Sequence, residues 1–221
     1  MKKDAINISD INKNNLKSKE KLNKELLSKM INIPGFLNYD LKGKGVEVKP
    51  GRFSPVYINM KATWTHPEIL FSIAERLTSL CNKSDCIVGI ESGGSPYASL
   101  IAKDLKVGLI LARKEAKEQM GILTGFFNGK EKKITIVDDI LATGKSSEKG
   151  FLSVKNKYSK ICIISVLSYG MDKLIAKKYN LEVKSLYKID DLLHTLNPEL
   201  KEQLLPHIRS YQEKLKKIIK I

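Results

Sequence analysis

The sequence predicts an α/β fold in which helices flank a central, mainly parallel sheet, with a small N-terminal hood. Three observations predict this architecture. Short apolar runs alternate with helix-like segments over residues 67–187, which is typical of a parallel sheet covered on both faces. A chain of 221 residues suits one such domain with a small appendage. The motifs that carry polar side chains fall after the apolar runs, where ligands bind in open α/β sheets.

The first segment of the chain shows no clear periodicity of apolar residues. Residues 1–17 are polar and rich in asparagine, so we expect a flexible extension of a single domain that covers residues 18–221. Leucine and methionine recur at helical spacing over residues 22–30, which predicts an amphipathic helix. Pro34 and Gly35 are expected to end it.

The hood and the core follow in order. The hood is expected at about residues 18–65, in which residues 36–61 hold two short β-like stretches at 45–48 and 55–59, with turn residues 49–51 between them. Together with the C-terminal helices they are expected to form the hood, and the core is expected at about residues 66–190. A proline marks the start of two core helices. The predicted helices are residues 67–80, 96–105, 146–158 and 174–179. The predicted strands are residues 86–90, 107–111, 134–137, 161–167 and 183–187.

Composition predicts a cytoplasmic protein. The longest strongly apolar runs, such as residues 161–167, are too short to cross a bilayer. No apolar segment follows Lys2 and Lys3, so a signal peptide and a membrane partner are not expected. The three cysteines are odd in number and lack CxxC spacing. They predict buried thiols in a reducing compartment, without a zinc site.

The net charge of +15 raises the question of a nucleic-acid partner. Only four of the 39 basic residues are arginine, whereas specific readers of bases and phosphates depend on arginine forks. The lysines are spread over the whole chain. We therefore expect a small anionic substrate and no nucleic acid.

The most informative motif is the segment ITIVDDILATGKS at residues 134–146. A buried strand delivers Asp138 and Asp139, and a short loop leads into a helix whose amides and dipole make an anion site. Thr143 can add a hydroxyl donor, and Gly144 lets the backbone approach a ligand closely. Because carboxylates accept hydrogen bonds from paired hydroxyls, a ligand that carries both a diol and a phosphate fits this segment. Ribose 5-phosphate has both groups.

Two other interpretations fit parts of this segment. Gly144-Lys145-Ser146 matches the end of a P-loop, but that motif needs a glycine where this chain has Asp139. The segment could also be a strand capped by a hydrated pair of aspartates that start a helix. That interpretation leaves the loop and the hydroxyl residues unexplained.

A second motif is the cationic segment Arg-Lys-Glu-Ala-Lys at residues 113–117, with glycines at 121 and 125. Three cations within five residues suit a mobile loop that closes over a diphosphate and stabilises charge as it develops. The alternative is a solvated helical turn, in which Arg113 and Lys117 stand one turn apart.

These motifs resemble a known family. The Asp-Asp-x-x-x-Thr-Gly-x-Ser segment at residues 138–146 resembles the diphosphate-sugar signature of type I phosphoribosyltransferases, and implies their fold. The segment at 113–117 resembles the catalytic loop of orotate phosphoribosyltransferases. The hood stretch at 49–59, the turn at 89–96 and the C-terminal tail are also similar to that family.

The resemblance implies an activity. Orotate would attack 5-phosphoribosyl 1-diphosphate and give orotidine 5′-monophosphate and diphosphate, a step of pyrimidine biosynthesis. The implied catalytic residues are Lys117, Asp138 and Asp139, the two acids holding the ribose hydroxyls. The implied 5′-phosphate site is Ala142, Thr143, Gly144, Lys145 and Ser146. The implied diphosphate contacts are Arg113, Lys114 and Lys117.

The resemblance also implies partners. Lys49 and the hood backbone near Tyr57 and Ile58 would contact the base. Magnesium would be held mainly by substrate oxygens and water, with no metal site made by the protein. Members of the family form dimers in which loop cations serve the neighbouring site, so a homodimer with shared active sites is expected.

Four departures from the family pattern leave the base open. Gln119 replaces the histidine that usually follows the last loop lysine, and that loop is about two residues short. Ala142 stands where a base-contacting hydroxyl is common. Gly170 falls where some members carry an arginine that binds the orotate carboxylate. A phosphoribosyltransferase for another base, and a regulator that senses the diphosphate sugar without turnover, remain alternatives.

Overall fold

The computed structural model describes residues 8–81, 83–117, 121–155, 158 and 160–219; the side chains of residues 8–19, 49, 114 and 117 lie outside that description. The helices are α1 Ile8–Ile31, α2 Pro67–Leu80, α3 Ser95–Leu105, α4 Lys145–Val154, α5 Asp172–Tyr179, α6 Ile189–Thr195 and α7 Pro198–Ile219, with a 3-10 helix at Met60–Thr65. The strands are β1 Leu37–Tyr39, β2 Val46–Lys49, β3 Arg52–Ser54, β4 Val56–Ile58, β5 Cys86–Ile90, β6 Gly108–Lys117, β7 Gly121–Thr124, β8 Lys133–Leu141, β9 Lys160–Ser168 and β10 Glu182–Lys188.

The central sheet has six strands in the order β10-β9-β8-β5-β6-β7. All neighbouring pairs are parallel except β6 and β7, which form an antiparallel hairpin at one edge. The predicted α/β fold with a mainly parallel sheet is therefore confirmed. Strand β8, which carries the acid pair, lies inside the sheet between β5 and β9.

Helices cover both faces of this sheet, as successive residues of β5 make clear. A Cβ atom placed on Gly89 would lie 2.7 Å from the Cβ of Ala98 in α3. The next residue, Ile90, points to the other face, where its Cδ1 atom would lie 2.9 Å from a Cβ on Gly150 in α4. Because side chains alternate along a strand, both faces of β5 are buried, which explains why its sequence is apolar without alternation.

One predicted loop is a strand. Residues 113–117, expected to form a mobile loop, continue β6 and pair with β7, although the pairing is irregular between Ala112 and Lys117. Charged residues are uncommon in central strands but are tolerated at sheet edges. The charged residues of this segment predicted a loop, but they form part of a hairpin at the edge of the sheet. Gln119 lies outside the described residues.

The N-terminal helix begins earlier than expected. Helix α1 starts at Ile8, inside the stretch 1–17 predicted as a flexible extension. Its predicted amphipathic part is confirmed, because Leu27 and Met30 are fully buried against the core. The flexibility of that extension and the single domain at 18–221 stay predictions.

The hood strands form two small antiparallel pairs, β1 with β4 and β2 with β3. Helix α7 presents buried residues at helical spacing, among them Leu204, Ile208 and Leu215, so its apolar face packs on the core. This packing brings the far end of the chain next to the hood. No helix among the described residues has the length and apolar character to span a membrane.

The three cysteines are free and buried, as predicted. Burial raises the pKa of Cys81 and of Cys162 to about 12 and that of Cys86 to about 11. These thiols therefore stay protonated near neutral pH and serve as apolar packing.

Candidate active site

A cavity of about 440 Å³ opens at the carboxyl end of β8, between the hood and α7. Eight of the nine positions from residue 138 to residue 146 contribute most of one wall. From this stretch the lining residues are Asp138, Asp139, Ile140, Ala142, Thr143, Gly144, Lys145 and Ser146. The hood and the C-terminal helix make the opposite wall. Their lining residues are Val48, Arg52, Phe53, Ser54, Val56, Tyr57, Ile58, Tyr211, Lys214, Leu215 and Ile218.

The phosphate loop, residues 142–146, joins β8 to the first turn of α4. Gly144 has φ of +76°, a left-handed conformation that favours glycine. A Cβ there would also lie 3.2 Å from the Ile175 side chain. The loop thereby aims the N-terminus of α4 at the cavity, where free backbone N–H groups and the helix dipole attract an anion.

The two acids of the motif have different surroundings. Asp138 is buried, and its carboxylate accepts hydrogen bonds from the Ser147 hydroxyl at 2.8 Å and from the Asp139 N–H at 2.9 Å. Asp139 is half-buried beside Gly93, where a Cβ would lie 1.9 Å from its Oδ2 atom. Ser147 was not among the predicted site residues. Its position one residue beyond the motif, on the inward side of the helix, could have indicated its role.

The turn between β5 and α3 packs directly against the acid pair. A Cβ on Gly94 would lie 2.2 Å from the carbonyl oxygen of Val137, so only glycine permits this approach. Next to the turn, Arg113 Nε lies 4.0 Å from Glu91 Oε1, while its buried Nη1 atom has no hydrogen-bond partner among the described residues. Ser95 Oγ is in the same situation. Two buried polar atoms at or near the turn that packs on the acid pair thus lack a partner among the described residues.

The remaining predicted site residues divide into two groups. Tyr57 and Ile58 line the cavity, whereas Arg113 does not. Lys49 is paired with Arg52 across the turn of β2 and β3. The side chains of Lys49, Lys114 and Lys117 lie outside the description, so their contacts stay predictions.

An aromatic corner, formed by Ser54, Tyr169 and Tyr211, was missed by the sequence interpretation. The two tyrosine rings meet edge to face with centroids 5.5 Å apart. Burial raises the pKa of both hydroxyls, and a hydrogen bond with Ser54 acts against that rise. Gln212 Nε2 donates to the Tyr169 carbonyl at 2.9 Å and joins α7 to the end of β9. No local pattern signals this corner, because its members come from distant parts of the chain.

Comparison with known proteins agrees with this geometry. The family model of the phosphoribosyl transferase domain matches residues 65–191, which include the acid pair and the phosphate loop. The orotate phosphoribosyltransferase of Saccharolobus solfataricus is 30% identical over 66% of this chain and 76% of its own length. The chain belongs to the orotate phosphoribosyltransferase family.

Other members of the family support the same conclusion. The orotate phosphoribosyltransferase of Pyrobaculum aerophilum is 26% identical over 75% of this chain and 89% of its own length. The crystal structure of the Aeropyrum pernix orotate phosphoribosyltransferase has a TM-score of 0.63 and 22% identity over 76% of this chain and 96% of that one. The type I phosphoribosyltransferase fold expected from the motif is confirmed.

The family's magnesium ion can be tested against these residues. Among the described residues, no cluster of three or more His, Cys, Asp or Glu side chains could hold a metal. Both carboxylate oxygens of Asp138 already accept hydrogen bonds from the protein. The half-buried Asp139 is left to face the cavity. This donor set fits a cation that a diphosphate and water carry into a phosphoribosyltransferase site.

Asp138 should make the stability of this phosphoribosyltransferase depend on pH. Burial, and then the charge of Asp139, raises the pKa of the Asp138 carboxyl well above its ordinary value of 3.8. The folded state therefore keeps this proton at pH values where the unfolded chain has lost it, and this group's contribution to the free energy of unfolding falls as pH rises. Asp138→Asn removes this titration. As pH rises above about 4, the free energy of unfolding of the variant, measured in denaturant melts, should therefore increase relative to that of the wild type.

The comparison between the two proteins reports on Asp138 together with its charge interaction with Asp139, because all other titrating groups are common to both. Asparagine has one acceptor oxygen where Asp138 has two, so its oxygen can accept the Asp139 N–H while its amide donates to the Ser147 hydroxyl. Stability curves that run parallel over this pH range would contradict the raised pKa.

Proposed function

We propose that this enzyme transfers ribose 5-phosphate from 5-phosphoribosyl 1-diphosphate to orotate, giving orotidine 5′-monophosphate and diphosphate. The observation that carries the proposal is the shared cavity. The acid pair and the phosphate loop form one wall, and the hood with its aromatic corner forms the other. A sugar phosphate held on the first wall presents its C1′ atom to a planar base on the second. The names of the family members support orotate as that base.

The reaction is a displacement at C1′. The N1 atom of orotate forms the new bond while the bond from C1′ to the diphosphate oxygen breaks, and diphosphate leaves with the electron pair. The N1 proton of orotate passes to water or to the departing diphosphate. Positive charge develops on the ribose ring, close to Asp138 and Asp139. The protein's contribution is to position the two substrates and to stabilise this separation of charge.

Each part of the site has a proposed role. Residues 142–146 bind the 5′-phosphate through loop N–H groups, hydroxyls and the N-terminus of α4. Asp138 and Asp139 accept hydrogen bonds from the ribose hydroxyls. The cations Arg113, Lys114 and Lys117 hold the diphosphate, and Lys49, Tyr57 and Ile58 contact the base.

The setting of the reaction is also proposed. Magnesium enters with the diphosphate, and the substrate and water supply most of its ligands. The enzyme is a cytoplasmic homodimer in which the loop cations of one subunit serve the site of the other. This step belongs to pyrimidine biosynthesis.

Turnover with a panel of bases tests the function. With the diphosphate sugar and magnesium present, the purified enzyme is expected to have a higher kcat/KM for orotate than for uracil. Lys49→Ala should lower that preference, because a site built around a polar contact rejects analogues that lack it. The measurement is kcat/KM for both bases with the wild type and with the variant. A wild-type preference for uracil or a purine would overturn orotate as the substrate and leave the phosphoribosyltransferase class standing.

A second outcome would remove the enzymatic role altogether. If calorimetry shows tight binding of the diphosphate sugar and no base is turned over, the protein would be a sensor of that sugar. Gln119 and the shortness of the sequence between Lys117 and Gly125 are the features of this chain that make the experiment informative.

A further inference from the structure

The end of β9 lacks a cation for an acidic base. Gly170 has φ of +80°, and a Cβ there would lie 3.4 Å from Gln212 Nε2. The Ser168 hydroxyl accepts the Gly170 N–H at 3.1 Å and donates to the Asp172 carboxylate. This backbone is held in a conformation that an arginine adopts only with strain. Any charge that binds a carboxylate here must therefore come from another element.

Two cations reach the cavity from elsewhere in the fold. Arg52 comes from β3 of the hood, and Lys214 comes from α7 on the other side. Both side chains are exposed, and neither forms an ion pair in the part of the chain that the structure describes. Their positive charges are thus available to a ligand.

Both cations line the cavity near Tyr211 of the aromatic corner. Arg52 lies close enough to Tyr211 for its charge to oppose the rise that burial causes in the pKa of the Tyr211 hydroxyl. Lys214 follows Tyr211 by three residues on α7, and residues at that spacing share one face of a helix. Arg52, Tyr211 and Lys214 therefore surround one end of the cavity.

The character of this end suits a planar acid. The tyrosine rings and the apolar side chains of Leu215 and Ile218 offer flat, apolar surface. Lys214 also borders a smaller cavity of about 120 Å³ that contains Asp40. The Asp40 carboxylate, however, already accepts the N–H groups of Lys42 and Gly43 at 3.1 and 2.8 Å.

We propose that Arg52 and Lys214 together bind the carboxylate of the acceptor base and determine the preference of the enzyme for an acidic pyrimidine. The inference rests on the proposed function and names the residues that decide its substrate. Arg52 can offer two parallel N–H donors to a carboxylate, and Lys214 adds a second positive charge. The carboxylate then lies at the rim of the cavity, and the ring lies against the aromatic corner.

Single substitutions separate the two cations from the rest of the site. Lys214→Met and Arg52→Gln keep most of the side-chain length and remove the charge. Each is expected to raise KM for orotate about tenfold, the lower end for a charge-assisted contact because both residues are exposed. We expect kcat for orotate, KM for the diphosphate sugar and kcat/KM for uracil to change less than about twofold. Lys214→Arg should retain the preference for orotate.

Lys217→Met is the matched control, because Lys217 is an exposed lysine of α7 that does not line the cavity. It should behave as the wild type does. A wild type that prefers orotate, with both charge-removing variants keeping that preference within about twofold, would overturn the inference while the proposed function stands. If the wild type turns over no orotate, calorimetric titration with orotate decides. If orotate binds and Lys214→Met weakens this binding, the result supports the carboxylate site made by the two cations. If orotate does not bind, both this site and the proposed function are overturned.

Discussion

Replacing Asp138 and Asp139 together by asparagine is expected to lower the affinity for 5-phosphoribosyl 1-diphosphate by several kcal/mol. A hydrogen bond to a charged group contributes roughly 1.5–3 kcal/mol. The substitution removes the charge of Asp139, and it replaces the carboxyl of Asp138, the second proposed acceptor of the ribose hydroxyls, by an amide. Calorimetric titration of the wild type and the variant measures the difference directly. An unchanged dissociation constant would mean that the acid pair does not bind the sugar.

Because Asp138 is buried and accepts the Ser147 hydroxyl, folding must be separated from binding. Ser147→Ala disturbs the same buried contact and keeps both carboxylates. Asp139→Asn keeps the contact and removes only the acid that faces the cavity. If loss of affinity follows Asp139→Asn and not Ser147→Ala, the effect belongs to the ligand.

Lys117→Ala is expected to lower kcat by about 10²–10³ with little change in melting temperature. A donor that meets charge developing in a transition state contributes on this scale. Lys117 ends β6, where the pairing with β7 is already irregular, so its loss should cost little stability. Steady-state kinetics and thermal melts of the variant test the two halves of this prediction. Lys177→Ala, on an exposed turn of α5, serves as the control.

The proposed sharing of sites between subunits gives a second test of Lys117. In a mixture of Lys117→Ala with the double variant of Asp138 and Asp139, heterodimers should contain one site with intact acids and an intact loop. Partial recovery of activity is expected. Heterodimers verified by mass spectrometry that stay inactive would mean that each subunit completes its own site. A variant that unfolds, with full kcat in its folded fraction, would make Lys117 a structural residue.

The part of the cavity that is proposed to bind the acceptor base could not be predicted from the sequence. The departure at Gly170 is visible in the sequence, but the residues around it are not. Gln212 occupies the neighbouring space and binds the Tyr169 carbonyl from α7. Nothing in the amphipathic pattern of α7 distinguishes Lys214 from the other lysines of that helix. Similarly, the charges at residues 113–117 predicted a loop where the chain forms an edge hairpin.

The sequence by itself determined the α/β fold and the sugar-phosphate half of the site. Strand, acid pair, loop and helix are consecutive in residues 134–146, so covalent continuity and short-range sterics fix their relative positions. The tertiary structure alone decided what faces this half. Arg52, Tyr169 and Lys214 line one cavity only because the hood strands and α7 bury their apolar faces against the same core. Burial of apolar area is non-directional, so a sequence pattern shows which face is buried without showing which residues meet across the cavity.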